Sequence, residues 1–227
     1  VGAVTVNEAG LGDDADHSEF ADVAVPGYTV VGGGEGTYGK VHQVNGQWVY
    51  ELTETFAHPD PTHADTAFDA DTVEITVQDT AGNTFTVDVS VNIVDAIPTI
   101  TATGDLTVVE GHSSTMSGTL SYAFGADGAG SLTVDGNPYT VPTEGNPTTI
   151  AGAHGTLTVQ ADGTYSYTAN ANTGGQSESF VFVIEDGDGD TATATLEVTI
   201  GSAEGPNPSD VGAVTVNEAG LGDDADH

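Results

Sequence analysis

The densest run of chemically capable side chains is Glu185-Asp186-Gly187-Asp188-Gly189-Asp190. Aspartates alternating with glycines in a turn place several carboxylates on one concave face. A hard cation taking six to eight oxygens at about 2.3–2.6 Å needs that arrangement. The run begins like an EF-hand loop, with Asp186, Asp188 and Asp190 in step and Glu197 at the twelfth position. The match then fails: Thr191 stands where that loop requires glycine, and Thr191–Ile200 alternates as a strand. Glu197 would lie roughly 23 Å beyond Asp190 at about 3.3 Å per residue. The expectation is a hairpin-loop calcium site, with a solvated acidic turn as its alternative.

Strands must hold these acids. Val4-Thr5-Val6, Gln47–Leu52, Val73–Val77, Thr84–Val94, Ser117–Phe124, Ser131–Val134, Gly155–Gln160, Thr164–Thr168, Ser179–Ile184 and Thr191–Ile200 alternate apolar and polar residues over at least part of their length. Gly, Asn, Asp and Pro punctuate them roughly every 8–12 residues, and no helix-period segment of useful length occurs. Gly39–Tyr50 resembles Gly155–Tyr167, Val73–Asp79 resembles Phe180–Asp186, and Val6-Asn7-Glu8 resembles Val108-Val109-Glu110. The pattern predicts an all-β chain of two tandem Greek-key β-sandwiches, at 1–96 and 97–203. Residues 204–210 would be a linker.

Topology decides which acids can meet. With seven strands running alternately up and down, the turn after the first, the turn before the sixth and the end of the seventh share a pole. In the first copy that pole collects Glu8, Asp13, Asp14, Asp16, Asp69, Asp71 and Asp95. The opposite pole of the second copy collects Asp127, Asp186, Asp188 and Asp190. The two poles face each other across Asp95-Ala96-Ile97-Pro98, a link stiffened by its proline. They gather enough carboxylates for about one to three calcium ions. By the same topology Asp79 faces whatever precedes Val1. The second link, Gly201–Asp210, mixes Gly with Pro and is expected to be looser.

Val1–His17 recurs without change at Val211–His227. The expectation is one period of a tandem array, with 211–227 beginning the next repeat. Against 35 acidic residues stands one basic residue, Lys40, for a net charge of −34. That charge excludes nucleic acid and anionic membrane surfaces as partners. Hydrophobic residues at 37% still suffice for sandwich cores, so the acids need their own account. Bound cations are the simplest; a generic acidic surface is the alternative. Cysteine is absent, so no disulfide staples the fold. No apolar run reaches the ~18–20 residues of a membrane span, and no signal pattern opens the sequence.

Glu at the end of the first strand, Asp-X-Asp before the sixth, an Asp-X-X-Pro link and acidic facing loops resemble the calcium-linked junctions of cadherin repeats. Asp79-Thr80-Ala81-Gly82-Asn83 and Asp186-Gly187-Asp188-Gly189-Asp190 also resemble repeats of giant bacterial RTX adhesins. The resemblance implies Ig-like, cadherin-like sandwiches that bind Ca2+ and act as extracellular extenders on a bacterial cell surface, exported by a type I system. The second copy departs from the pattern. Its Asn170–Ser179 region offers only Glu178, leaving Glu110, Glu178, Glu204 and Asp210 as possible ligands at the second junction.

Other signals are weaker. Gly34-Glu35-Gly36-Thr37-Tyr38-Gly39 matches GxGxxG, but it lies between strands with no helix to meet a phosphate. It reads as a loop or bulge. His58 and His63 flank Pro59-Asp60-Pro61 and lack a third zinc-type ligand in sequence, so a proline-rich surface loop is expected. No nucleophile elbow or nucleophile–base pair appears, which argues against an enzyme. Trp48, Tyr50, Tyr165 and Tyr167 sit at strand period and read as core or cross-strand aromatics rather than a sugar platform. The sequence thus predicts a monomeric, calcium-stabilised spacer whose partners are neighbouring repeats. A carbohydrate-binding sandwich using Trp48 or the Gly32–Gly39 loop is the competing reading.

Overall fold

The computed structural model describes residues 2–11, 17–58, 65–115 and 118–203. The first eight strands are β1 (Val4–Asn7), β2 (Phe20–Asp22), β3 (Thr29–Gly32), β4 (Gly34–Glu35), β5 (Gly39–Val44), β6 (Gln47–Leu52), β7 (Thr66–Gln78) and β8 (Thr84–Val94). They form two sheets, ordered β1-β8-β7-β3 and β2-β6-β5-β4. Ten more follow: β9 (Thr99–Thr103), β10 (Leu106–Val109), β11 (Gly118–Ala123), β12 (Ala129–Val134), β13 (Asn137–Pro138), β14 (Thr148–Ala151), β15 (Gly155–Val159), β16 (Thr164–Ala169), β17 (Ser177–Asp186) and β18 (Thr191–Gly201). Their sheets are ordered β10-β18-β17-β12-β13 and β14-β15-β16-β11-β9. Among the described residues the only helical element is one 3-10 turn, Glu8–Gly10.

Period-two patterning makes these strands because alternate side chains point to opposite faces and one face is buried. Val73, Ile75 and Val77 on β7, and Val89, Val91 and Ile93 on β8, are all within 1% of full burial. They share a core with Val41 of β5 and Tyr50 and Leu52 of β6, so two sheets close on one another. Phe180, Phe182 and Ile184 of β17 do the same with Leu157, Tyr165 and Tyr167 of β15 and β16. Each such side chain contributes about 1.5–3 kcal/mol on burial. The chain is therefore an all-β pair of tandem Ig-like β-sandwiches. Tyr50, Tyr165 and Tyr167 are core residues as expected.

In each sandwich the first and last strands of one sheet lie parallel: β1 against β8, with Asn7 opposite Val94, and β10 against β18, with Val109 opposite Gly201. The β5–β6 hairpin turns at Asn45-Gly46, whose φ values of 51° and 85° are those a two-residue hairpin requires. Two elements differ from the sequence expectation. β7 starts at Thr66 and carries an irregularity between Ala67 and Asp71, where Asp69 takes φ 52°. β17 runs on through Asp186, making that aspartate a strand end rather than the opening of a turn.

Candidate metal centre at the joint between the sandwiches

Asp95 closes the first sandwich just past β8. Its backbone N–H donates to the Asp65 carbonyl at 3.1 Å, which fixes the chain as it leaves the sheet. Asp95, Ala96 and Pro98 are buried; Ile97 is exposed. From the second sandwich, the turn between β11 and β12 brings Asp127, and the β17–β18 turn brings Asp186, Asp188 and Asp190. Asp186 Oδ1 accepts from the N–H groups of Gly189 (3.1 Å) and Asp190 (2.8 Å), which curls this hairpin and leaves its Oδ2 free to face inward. From the first sandwich, Glu8 comes off β1 and His58 off the loop after β6.

Among the described residues three groups hold ligand atoms within 4.8 Å of one another: Glu8–His58–Asp95, Asp95–Asp188–Asp190 and Asp127–Asp186–Asp188. Asp95 and Asp188 each belong to two groups, so the three form one string across the joint. Glu8 is fully buried, and Asp190, Asp186 and Asp95 are 1–3% exposed. At least one carboxylate oxygen on each of Glu8, Asp95, Asp127, Asp186, Asp188 and Asp190 is buried without a protein hydrogen-bond partner; for Asp95 and Asp190 both are.

The electrostatics follow from that burial. Burial, the close approach of the Asp190 carboxyl and the charges of Asp188, Asp190 and Asp127 push Asp95 up to about 8. Burial pushes Glu8 up to about 7, against a lowering hydrogen bond from the Phe56 N–H; Asp127 and Asp188 raise it further while His58 lowers it. Asp186 rises to about 6 through burial and its contact with Asp188. Asp127 is raised by burial and by Asp188. Like charges held this closely out of water favour an added cation.

The joint thus brings together Glu8, Asp95, Asp127, Asp186, Asp188 and Asp190. Asp13, Asp14 and Asp16 lie outside the described residues, as do His63 and 204–227. Four further acids are placed elsewhere, each for a physical reason. Asp69 is exposed on the irregular part of β7, where its N–H donates to Asn92 Oδ1 at 3.0 Å. Asp79 accepts from Ala81 N (2.8 Å), Asn83 N (2.9 Å) and Asn83 Nδ2 (2.9 Å), a local turn lock at the opposite end of β8 from Asp95. Glu110 accepts from Gly174 N and Ala203 N, both at 3.0 Å.

Asp71 is buried but saturated. It accepts from Thr37 N (2.8 Å), Tyr38 N (3.0 Å), Tyr50 OH (2.8 Å) and Thr72 N (2.8 Å). Burial alone would raise its pKa; those donors outweigh it and hold the carboxyl below its ordinary value. Here the GxGxxG run finds its reason. A Cβ on Gly36 would stand 2.2 Å from Asp71 Oδ2, and one on Gly39 2.5 Å from Tyr50 OH. The second sandwich repeats the device. Glu178 accepts from Tyr167 OH and from Ala153 N at 2.7 Å, with Gly152 and Gly155 in the two close approaches.

His58 is the residue that the sequence misplaced. It is no surface-loop residue: its side chain is fully buried. Its Nδ1 bonds Asp65 Oδ1, its Nε2 lies 3.3 Å from Glu8 Oε2, and its N–H donates across the joint to Asp188 Oδ2 at 3.3 Å. Edge-to-face contacts from Tyr38 to Phe56 and from Phe56 to His58, each at 5.1 Å, hold the ring. The one local signal was an aromatic two positions before it. Trp48, named as a possible sugar platform, is half-buried against the first core.

Residues 96–202 match the family model described as a bacterial cadherin-like domain. The second sandwich is thus similar to a cadherin-like repeat, a structural extracellular module. No curated protein matches the sequence. Among solved structures, a protocadherin gammaB7 EC3-6 cis-dimer is 10% identical with a TM-score of 0.33, over 89% of this chain and 46% of that one. The EC1-2 pair of human mucin-like protocadherin is 14% identical, TM-score 0.28, over 88% and 97%. Tandem Ig repeats of Dlar are 14% identical, TM-score 0.28, over 81% of each. At these values the likenesses add nothing to what the sheets already establish. Among the described residues no helix is long and apolar enough to cross a membrane.

Proposed function

We propose that the chain is a calcium-stabilised spacer, in which Ca2+ neutralises and stiffens the joint between two sandwiches. Repeated along a bacterial cell-surface adhesin, such units would hold a distal binding domain away from the cell. One observation carries this reading: six carboxylates from both sandwiches converge on one joint with buried oxygens that no protein donor satisfies. A buried acceptor left unpaired costs about 1–3 kcal/mol, and a charged one more. A cation taking six to eight oxygens removes that cost. Three divalent ions in three groups would also balance the six negative charges.

The similarity of residues 96–202 to a bacterial cadherin-like domain supports the metal and the extracellular setting, since such domains generally bind Ca2+ outside the cell. The RTX-adhesin origin and type I export rest on the resemblance of the two acidic turns. The reading assigns no catalytic step. Its partners are neighbouring repeats of the same chain, and it works as a monomer. An affinity of about 10⁻⁴–10⁻³ M, usual for extracellular calcium modules, would leave the joint empty inside a cell and filled outside.

The test is small-angle scattering with thermal melting of this chain, in EDTA and in ~5 mM calcium. Maximum dimension and melting temperature should both rise with calcium. No change in either would remove the reading.

A further inference from the structure

We propose that the Glu8–His58–Asp95 group is a separate site for a transition-metal dication of the zinc class, beside the calcium groups and sharing Asp95 with them. It rests on the metal-clamped reading of the joint only through that shared carboxylate.

Donor chemistry separates this group from the other two. Calcium takes oxygen, and the Asp95–Asp188–Asp190 and Asp127–Asp186–Asp188 groups offer nothing else. An imidazole nitrogen suits zinc, cobalt or nickel instead. The ring is also prepared for that use. Asp65 Oδ1 occupies Nδ1, which leaves Nε2, beside Glu8 and in one group with Asp95, as the nitrogen open to a metal. A carboxylate behind a histidine is the usual outer support of a zinc ligand. Nε2 and Glu8 Oε2 stand 3.3 Å apart, both on fully buried side chains and neither in a hydrogen bond. Tetrahedral bonds of about 2.0–2.1 Å place adjacent ligands roughly 3.3–3.4 Å apart.

The other two ligands are positioned as well. The Phe56 N–H holds Glu8 by its Oε1, leaving Oε2 for the metal. The Phe56 ring packs edge-on against the imidazole, and Asp95 has both oxygens free of protein donors. One nitrogen and two carboxylates make three protein ligands, with a water completing four. The rival account makes His58 an imidazolium, a built-in cation between Glu8 and Asp65. It needs no metal.

The experiment titrates the whole chain with cobalt(II) chloride, then zinc chloride, in ~5 mM calcium. One cobalt per chain should bind with the visible bands of a four- or five-coordinate ion, and zinc should displace it. His58→Gln should abolish that spectrum while calcium binding, followed by calorimetry, persists. Asp65→Asn should weaken cobalt binding about 10–100-fold, as loss of an outer-shell partner does. Three results would overturn the site: no cobalt bound to the calcium-loaded chain, binding unchanged in His58→Gln, or NMR showing His58 doubly protonated with zinc present. The calcium arm is read separately. Cobalt at His58 without any calcium response would sink the calcium reading alone; a calcium response without cobalt would sink this one alone.

Discussion

Glu8 and Glu110 hold equivalent places, each just past a strand that pairs in parallel with the last strand of its sandwich. Their carboxylates meet different surroundings. Glu8 receives one N–H, from Phe56, and turns its other oxygen toward His58. Glu110 receives an N–H on each oxygen, from Gly174 and Ala203, and those bonds hold its carboxyl below its ordinary pKa. The same acid at the same fold position is a poised ligand at one pole and a finished backbone cap at the other. What differs is the loop after the aromatic strand. In the first sandwich it carries Phe56 and a buried histidine; in the second it offers amides.

The largest expected effect tests the joint itself. Asp95→Asn touches two of the three groups and should remove most of the calcium-induced rise in melting temperature. That rise is on the order of 10 °C if each ion contributes about 1–2 kcal/mol at ~5 mM. An undiminished rise would move the metal away from Asp95. Next comes Asp71→Asn, which should cost about 2–3 kcal/mol in denaturant melts whether or not calcium is present. A calcium-dependent loss would return Asp71 to the ligand set.

The contrast is sharpened by a matched pair. Glu8→Gln should abolish the cobalt spectrum of the His58 group and Glu110→Gln should leave it intact, lowering stability by the same few degrees in EDTA and in metal. Equal cobalt spectra in the two variants would break the distinction. The smallest effect is in pH. Asp71 has a lowered folded-state pKa, so its contribution is fully present above the ordinary carboxylate value and is lost as pH falls through the folded one. Acid melts of the parent should therefore show a loss below about pH 4 that Asp71→Asn lacks.

Much of this was legible in the sequence. The alternating runs gave β6 and β8 to the residue, because one face of each carries most of its buried side chains and periodicity reports that directly. Strands such as β4 and β13, two residues long, have no period to read. The poles followed from up-down alternation, which placed Asp95 opposite Asp127, Asp186, Asp188 and Asp190. Asp71 was assigned to the same pole, but its donors Thr37 and Tyr38 lie 34 and 33 residues earlier, so nothing local betrayed its saturation. His58 was hidden by its proline-rich context, since its burial depends on Glu8, Asp65 and Asp188 from three other segments. Glu110 reads like Glu8 in one dimension; only the opposing loop tells them apart.

The parallel pairing of β1 with β8, and of β10 with β18, bears on a chain that is pulled. Tension enters the first sandwich at the start of β1 and leaves at the end of β8. These strands lie side by side and run the same way, so the load slides one along the other. Val4–Asn7 against Val91–Val94 must then give way together instead of peeling open one rung at a time. Leu106–Val109 against Val198–Gly201 repeats the parallel pairing in the second sandwich, where the chain enters first through β9 of the other sheet. Rupture in such an arrangement requires the whole patch to give at once.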